Sequence, residues 1–89
     1  MNNKPQSFEE LQEVMNQTMV FPTLYQFKFI VPKDEVPTLL NYLEGMSPKE
    51  TPSKNGNYIS VSALSHFQTS DEIIAVYKKV SAIKGIISL

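Results

Sequence analysis

The sequence predicts an α+β protein in which a four-stranded antiparallel sheet carries two helices on one face and a short helix precedes the first strand. Stretches of alternating apolar residues and stretches of helical periodicity follow one another in the order β-α-β-β-α-β. The dipeptide Asn55-Gly56 predicts the tight turn of a β-hairpin. Pro48 and Pro52 place the first arm of that hairpin at a sheet edge, because proline cannot donate to a ladder.

The first 23 residues are predicted to form a tail and a short helix, and residues 24–89 the folded domain. The tail through Gln6 is polar and is expected to be disordered. Ser7 and Glu10 have the spacing of a capping box, which starts a helix near Phe8. Its apolar stripe consists of Phe8, Leu11, Val14 and Met15.

The stretch LYQFKFIV, residues 24–31, alternates as a strand does. One face has Tyr25, Phe27, Phe29 and Val31, and the other has Gln26, Lys28 and Ile30. The next segment predicts a helix with the apolar stripe Val36, Leu39, Leu40 and Leu43. We expect Asp34 as its N-cap and Gly45 as its C-cap, and Pro37 is tolerated in the first turn.

The hairpin arms are predicted at residues 47–54 and 57–67, joined by a type I′ turn at Asn55-Gly56. Alternation in the second arm sends two sets of side chains to opposite faces. The core set is Ile59, Val61 and Ala63, and the other set is Tyr58, Ser60, Ser62 and Leu64.

A last helix is predicted to open with a second capping box, Thr69 and Glu72, and to end at Gly85. Its buried stripe is Ile73, Val76, Tyr77, Val80 and Ile83. The apolar stretch IISL then forms a short closing strand. This order of elements is the ferredoxin-like arrangement, in which the first and third strands are central and the second is an edge.

Several of these residues resemble the YbeD-like family of small uncharacterised bacterial proteins. The likeness covers roughly residues 19–89 and rests on the stretches FPT and PSKNGNYISVS, on Tyr77 in the last helix and on the apolar closing strand. A basic residue often precedes the Pro-Ser pair in that family, whereas this chain has Thr51. The resemblance implies a ferredoxin-like fold similar to the ACT regulatory domains. It therefore implies a regulatory role, without indicating a ligand.

Composition argues against several classes of function. The net charge is −1 and all eight basic residues are lysine, so no basic excess favours nucleic acid. The absence of cysteine excludes disulfides and thiolate metal sites, and we expect no cofactor. No apolar run is long enough to span a membrane, and the polar N-terminal residues are unlike a signal peptide. We therefore expect a cytoplasmic protein without a membrane partner.

Catalysis is not expected. His66 is the one histidine, and the possible partners Ser65 and Asp71 are isolated residues with ordinary structural uses. Asp71 lies in a predicted helix first turn, where the helix dipole favours acids. No glycines of a nucleophile elbow accompany any serine.

The sheet face away from the helices is the predicted working surface. Its candidate binding residues are Gln26, Lys28, Tyr58, Ser60 and Ser62. This face is covered by the N-terminal helix, covered by another subunit, or left in water. The leading hypothesis is a regulatory or adaptor domain, a monomer or weak homodimer, that binds a protein or a small metabolite. A module that dimerises edge to edge is the alternative, and a small enzyme is a third.

Overall fold

The computed structural model describes residues 7–89, so the predicted disordered tail lies outside the described residues. It confirms the α+β class and the order of elements. In chain order the elements are α1 (Phe8–Thr18), β1 (Thr23–Pro32), a 3-10 turn (Lys33–Glu35), α2 (Val36–Tyr42), β2 (Lys49–Pro52), β3 (Tyr58–Phe67), α3 (Ser70–Val80) and β4 (Ile87–Ser88). None of the helices among the described residues has the length and apolar character needed to cross a membrane.

The four strands form one antiparallel sheet in the order β2-β3-β1-β4. As predicted, β1 and β3 are central, and they pair over their whole length from Thr23 opposite Phe67 to Pro32 opposite Tyr58. The edge strand β2 contains Pro52, which needs no ladder partner on its outer side. The other edge strand, β4, pairs with Phe29 and Ile30 of β1.

The core lies between the sheet and the helices. Alternation buries Phe27, Phe29 and Val31 of β1 and Val61 of β3, and the helices add their apolar stripes to the same cluster. The rings of Tyr25, Phe27, Phe29, Phe67 and Tyr77 meet mostly edge to face. Within this cluster the hydroxyl groups of Tyr25 and Tyr77 are hydrogen-bonded at 2.7 Å.

Helix α1 begins at the predicted cap, where the Ser7 hydroxyl accepts a hydrogen bond from the Glu10 amide. It packs beside α3 and buries Met15 in the core. Val14, a member of the predicted apolar stripe, is 46% exposed and does not join the core. A stripe of four apolar residues is wider than the contact that one neighbouring helix provides.

Two expectations for α2 need correction or refinement. Asp34 is not its N-cap, because the chain first makes a 3-10 turn in which the Val36 amide donates to the Lys33 carbonyl. That turn satisfies an amide that a capping side chain would otherwise serve. Pro37 is tolerated in the first turn as predicted, but the C-cap is Leu43 rather than Gly45, which adopts φ 83° in the turn that follows the helix.

The hairpin turn is not of type I′. That turn requires positive φ at two residues, but among the described non-glycine residues only Ser47 has positive φ. Instead, the Gly56 amide donates a hydrogen bond to the Ser53 carbonyl, and Gly56 itself has φ 76°. The Asn55 side chain accepts hydrogen bonds from the Asn57 amide and the Ser53 hydroxyl. These side-chain bonds hold Asn55 in a different turn from the predicted one.

Helix α3 differs from its prediction at both ends. The Thr69 hydroxyl makes no capping bond, whereas the Glu72 carboxylate accepts from the Gln68 amide at 2.6 Å. The helix ends at Val80, five residues before Gly85. Gly85 adopts φ 80°, and a Cβ at this position would lie 3.0 Å from the Pro32 ring. The glycine therefore allows this turn to approach the end of β1.

Candidate functional site

The sheet side that faces away from the helices, called the open face below, collects every second residue of the strands. The strand register defines its members. They are Leu24, Gln26, Lys28, Ile30 and Pro32 of β1, Tyr58, Ser60, Ser62, Leu64 and His66 of β3, Lys49 and Thr51 of β2, and Ile87 of β4.

The structure places all five candidate binding residues on this open face. Lys28 lies directly opposite Ser62 in the ladder, Ile30 lies opposite Ser60, and Gln26 lies opposite Leu64. Directly opposite side chains have Cβ atoms about 5 Å apart, so neighbouring members of this group are in reach of one small ligand group. Tyr58 lies opposite Pro32, at the far end of β3.

The sequence interpretation missed Lys49 and Leu24. Lys49 pairs with Ser62 from the side opposite to Lys28, so that Ser62 lies between two lysines in one row of the sheet. Leu24 lies opposite His66. Which β2 side chains lie on the open face depends on how β2 pairs with β3. The predicted turn type was wrong, and a different turn changes that pairing, so the sequence could not assign them. Leu24 could have been found from alternation alone, one step before Gln26.

Helix α1 does not cover the open face, although the sequence allowed that arrangement. The Ser70 hydroxyl, in the first turn of α3, donates to the Asn16 side chain at 2.7 Å and accepts from the Gln12 amide at 3.1 Å. Phe8 and Leu11 pack against the core cluster of the helix layer rather than against Ile30 and Leu64. The open face is therefore free of α1.

Several apolar side chains on the open face are about half exposed. Leu24 and Leu64 are each 52% exposed, and Ile87 is 51% exposed. Leu24 and Leu64 belong to neighbouring rows of the β1–β3 ladder and are diagonal neighbours within reach of each other. The face thus combines apolar groups with the hydroxyl, amide and ammonium groups of its polar members.

Acidic residues lie off the open face, whereas lysines occur both on it and elsewhere, at Lys33, Lys54, Lys78, Lys79 and Lys84. The open face has two lysines, Lys28 and Lys49, and its strand positions include no acidic residue. Glu50 of β2 is paired with buried Val61 and so points to the other side of the sheet. The remaining acids lie in α1, in α3, in the 3-10 turn and after α2: Glu9, Glu10, Glu13, Asp34, Glu35, Glu44, Asp71 and Glu72. The open face is cationic in a chain whose net charge is −1.

A shallow depression of about 140 Å³ lies where β2 begins beside β3. Its lining residues are Gln26, Ser47, Lys49, Ser62, Ala63 and Leu64. It therefore includes two of the five candidate residues. Ser47 lines it with φ 49°, a left-handed conformation that is unusual for a residue with a side chain.

The structure does not bring Ser65, His66 and Asp71 together. Ser65 and His66 are consecutive in β3 and point to opposite faces of the sheet. Asp71 accepts a hydrogen bond from the Gln12 amide in the helix layer. Within residues 7–89, no group of three or more metal-ligating side chains is arranged around a common point.

Comparison with known proteins identifies a family. The family model described as "Protein of unknown function (DUF493)" matches residues 16–89. The YbeD-like resemblance is thereby confirmed, because this is the model of that family. The chain matches no curated protein and no solved structure.

Proposed function

The chain belongs to the DUF493 family, and we propose that it is a non-catalytic regulatory or adaptor domain that binds a protein partner on its open face. The observation that carries this proposal is the composition of that face. Half-exposed apolar side chains lie beside two lysines on a surface that no element of residues 7–89 covers.

Exposed apolar groups that adjoin one another are the usual mark of an interaction surface. Leu24 and Leu64 are such a pair, and Ile87 and Ile30 form a second apolar group, separated from the first by the row of Lys28 and Ser62. A sheet face that stays in water permanently would be expected to carry polar residues at these positions. The exposed leucines therefore favour a partner over solvent.

The partner that suits this face is acidic with apolar side chains. Lys28 and Lys49 are its charged groups, and complementary charge speeds association and selects among partners. Nucleic acid is the less suitable polyanion, because the chain has no net positive charge and the open face offers only Tyr58 and His66 as rings to stack on bases. We expect the association rate to fall with added salt.

A protein partner fits better than a small metabolite. In ACT-like domains the loop after the first strand is the expected ligand site. Here that segment has no glycine and forms the 3-10 turn Lys33–Glu35, whose backbone is hydrogen-bonded within the turn and into α2. Close approach of a ligand to this backbone is therefore disfavoured.

Geometry supports the non-catalytic part of the proposal. A nucleophile and its base must lie within hydrogen-bonding distance of each other, and Ser65 and His66 project from opposite sides of one strand. Asp71 is engaged with Gln12. Ser60 and Ser62 share the open face with His66, but Ser62 is four residues from it along an extended strand.

Site-specific photo-crosslinking in the native cell tests this proposal. A photo-reactive amino acid at Ser60 samples the open face, and the same amino acid at exposed Ala75 of α3 samples the helix layer. We expect a discrete crosslinked species from position 60 that is absent from position 75 and weakened by Lys28→Glu. Equal crosslinking from both positions, or none from position 60, would overturn the proposal.

Self-association is the second candidate. Strand β4 has only two residues, which pair with Phe29 and Ile30 of β1. Residues 23–27 of β1 therefore have no β4 partner on that edge. An unpaired strand edge is a template for pairing with another chain. Light scattering over a range of concentrations would detect a dimer. A dimer found together with no crosslink from Ser60 to a different protein would make this candidate the function in place of binding a different protein.

A further inference from the structure

We infer that the depression lined by Ser47, Lys49 and Ser62 is a carboxylate-binding subsite that holds a glutamate or aspartate side chain of the bound partner. This inference rests on the proposed function, since it names the group that the open face recognises. Its basis is the chemistry of the lining residues and the charge around them.

The lining supplies hydrogen-bond donors and no acid. Gln26, Ser47, Lys49 and Ser62 provide an amide, two hydroxyls and an ammonium group. Within residues 7–89, none of these four side chains is hydrogen-bonded to another residue or paired with a charge. Unused donors grouped around one hollow are suited to an acceptor with several lone pairs, and an ionised carboxylate is such an acceptor.

The surrounding charge favours an anion. Lys49, Ser62 and Lys28 form one row across three strands. Adjacent strands are about 4.8 Å apart, so the two lysine backbones are about 10 Å apart with Ser62 between them. A carboxylate above Ser62 would have a lysine strand position on either side, at separations below the screening length of about 8 Å at physiological salt. No acidic residue on these strands competes from the open face.

Size and neighbours indicate a side chain rather than a larger ligand. A volume of about 140 Å³ is smaller than the roughly 300–1,000 Å³ of pockets that hold drug-sized ligands. Leu64 supplies the apolar side chain of the lining and can contact the methylene groups of an acidic side chain, whereas the Ala63 side chain points into the core. Leu24 lies diagonally beside Leu64, where it can receive an apolar neighbour from the same partner segment.

A matched pair of peptides tests the inference. Acetyl-Leu-Glu-Leu-amide and acetyl-Leu-Gln-Leu-amide differ only in the carboxylate, and each is titrated into the full chain while amide chemical shifts are followed. We expect saturable shifts at Gln26, Lys49 and Ser62 with the glutamate peptide. The glutamine peptide should bind about tenfold more weakly, as expected for the loss of charged hydrogen bonds. Equal affinities would overturn the inference.

Charge-matched variants separate the subsite from general electrostatics. Lys49→Gln should reduce the affinity for the glutamate peptide to that for the glutamine peptide, whereas Lys79→Gln on exposed α3 removes the same charge and should leave it unchanged. Equal effects of the two variants would overturn the inference. So would saturable binding of sodium acetate at the same residues with no added affinity from the peptide, since a small acid would then be the ligand.

The outcomes also separate the subsite from the docking face. Crosslinks from Ser60 that persist undiminished in the Lys49→Gln protein would remove the carboxylate subsite and leave the proposed function. If the peptide binds with a preference for glutamate but Ser60 gives no crosslink in the cell, the subsite is supported and the proposed partner-binding function is overturned.

Discussion

At the hairpin turn, the backbone of Gly56 sets the cost of a substitution. Its φ is 76°, and an added Cβ would meet no heavy atom within 4 Å. A change to valine is therefore penalised through the left-handed backbone alone, and we expect Gly56→Val to reduce the free energy of unfolding by about 1–2 kcal/mol. Gly56→Asn should cost less, because asparagine adopts this conformation more readily. Urea unfolding measures both, and an unchanged midpoint for valine would contradict the observed φ.

The Tyr25–Tyr77 hydroxyl pair predicts a dependence of stability on pH. Burial, and then the hydrogen bond to Tyr25, raise the pKa of the Tyr77 hydroxyl. An unfolded tyrosine ionises near pH 10. The folded state therefore keeps its proton after the unfolded state has lost it, and the stabilisation is present below about pH 10 and falls as the pH rises above it.

Tyr77→Phe should lower the free energy of unfolding by about 1 kcal/mol at neutral pH through loss of the hydrogen bond. It should also remove part of the loss of stability between about pH 8 and pH 10.5, whereas Tyr42→Phe, at an exposed position, should not. Urea midpoints at the two pH values make the comparison. Equal losses of stability in the wild type and in Tyr77→Phe would show that Tyr77 does not hold its proton as described.

Among the elements, the strands were predicted more closely than the helix ends. In β1 and β3, apolar residues at every second position are repeated several times along the strand, which makes the prediction robust. The structure buries these odd-numbered residues as expected. A helix end depends on single local hydrogen bonds. Near Asp34, a 3-10 turn provides backbone acceptors for the amides that a capping side chain would serve. Near Thr69, the Gln68 amide rather than the Thr69 amide donates to the Glu72 carboxylate. Such alternatives are close in free energy, and the sequence pattern does not rank them.

Helix α2 provides a test of facing within one element. Leu39 has no exposed surface, whereas Leu40 is only partly buried at the border of the core. Leu39→Ala should therefore lower the free energy of unfolding by about 2–5 kcal/mol, the range for buried leucines. Leu40→Ala should cost clearly less, and it serves as the matched control. Thermal melts that rank the two in the opposite order would show that α2 presents a different stripe to the sheet.

At the scale of the whole molecule, long-range packing determined what the sequence could not reveal. Alternation assigned Gln26, Lys28, Ser60 and Ser62 to one face, as the structure has them. It could not place Lys49 beside Ser62, because that contact depends on the β2 register. Nor could it choose a position for α1, whose apolar stripe would suit either the open face or the helix layer. The buried hydroxyl of Ser70, hydrogen-bonded to α1, shows which of these contacts forms.

The position of α1 leads to the prediction that removing it affects the helix layer and leaves the open face intact. Deletion of residues 1–18 exposes the site of Met15 and the Ser70 hydroxyl, so we expect a loss of at least about 2 kcal/mol of unfolding free energy. Chemical shifts should change most around Ser70 and Asp71 and little at Ile30 and Leu64.

A pair of single substitutions repeats this test without shortening the chain. Met15→Ala removes the buried side chain of α1 and should cost about 2–5 kcal/mol. Val14→Ala, next to it on the exposed side of the same helix, should change stability by no more than about 0.5 kcal/mol. If the deletion instead moved the resonances of Ile30 and Leu64 most, α1 would lie on the open face in solution. The docking surface would then be part of the core, and the partner proposed for it would have no place to bind.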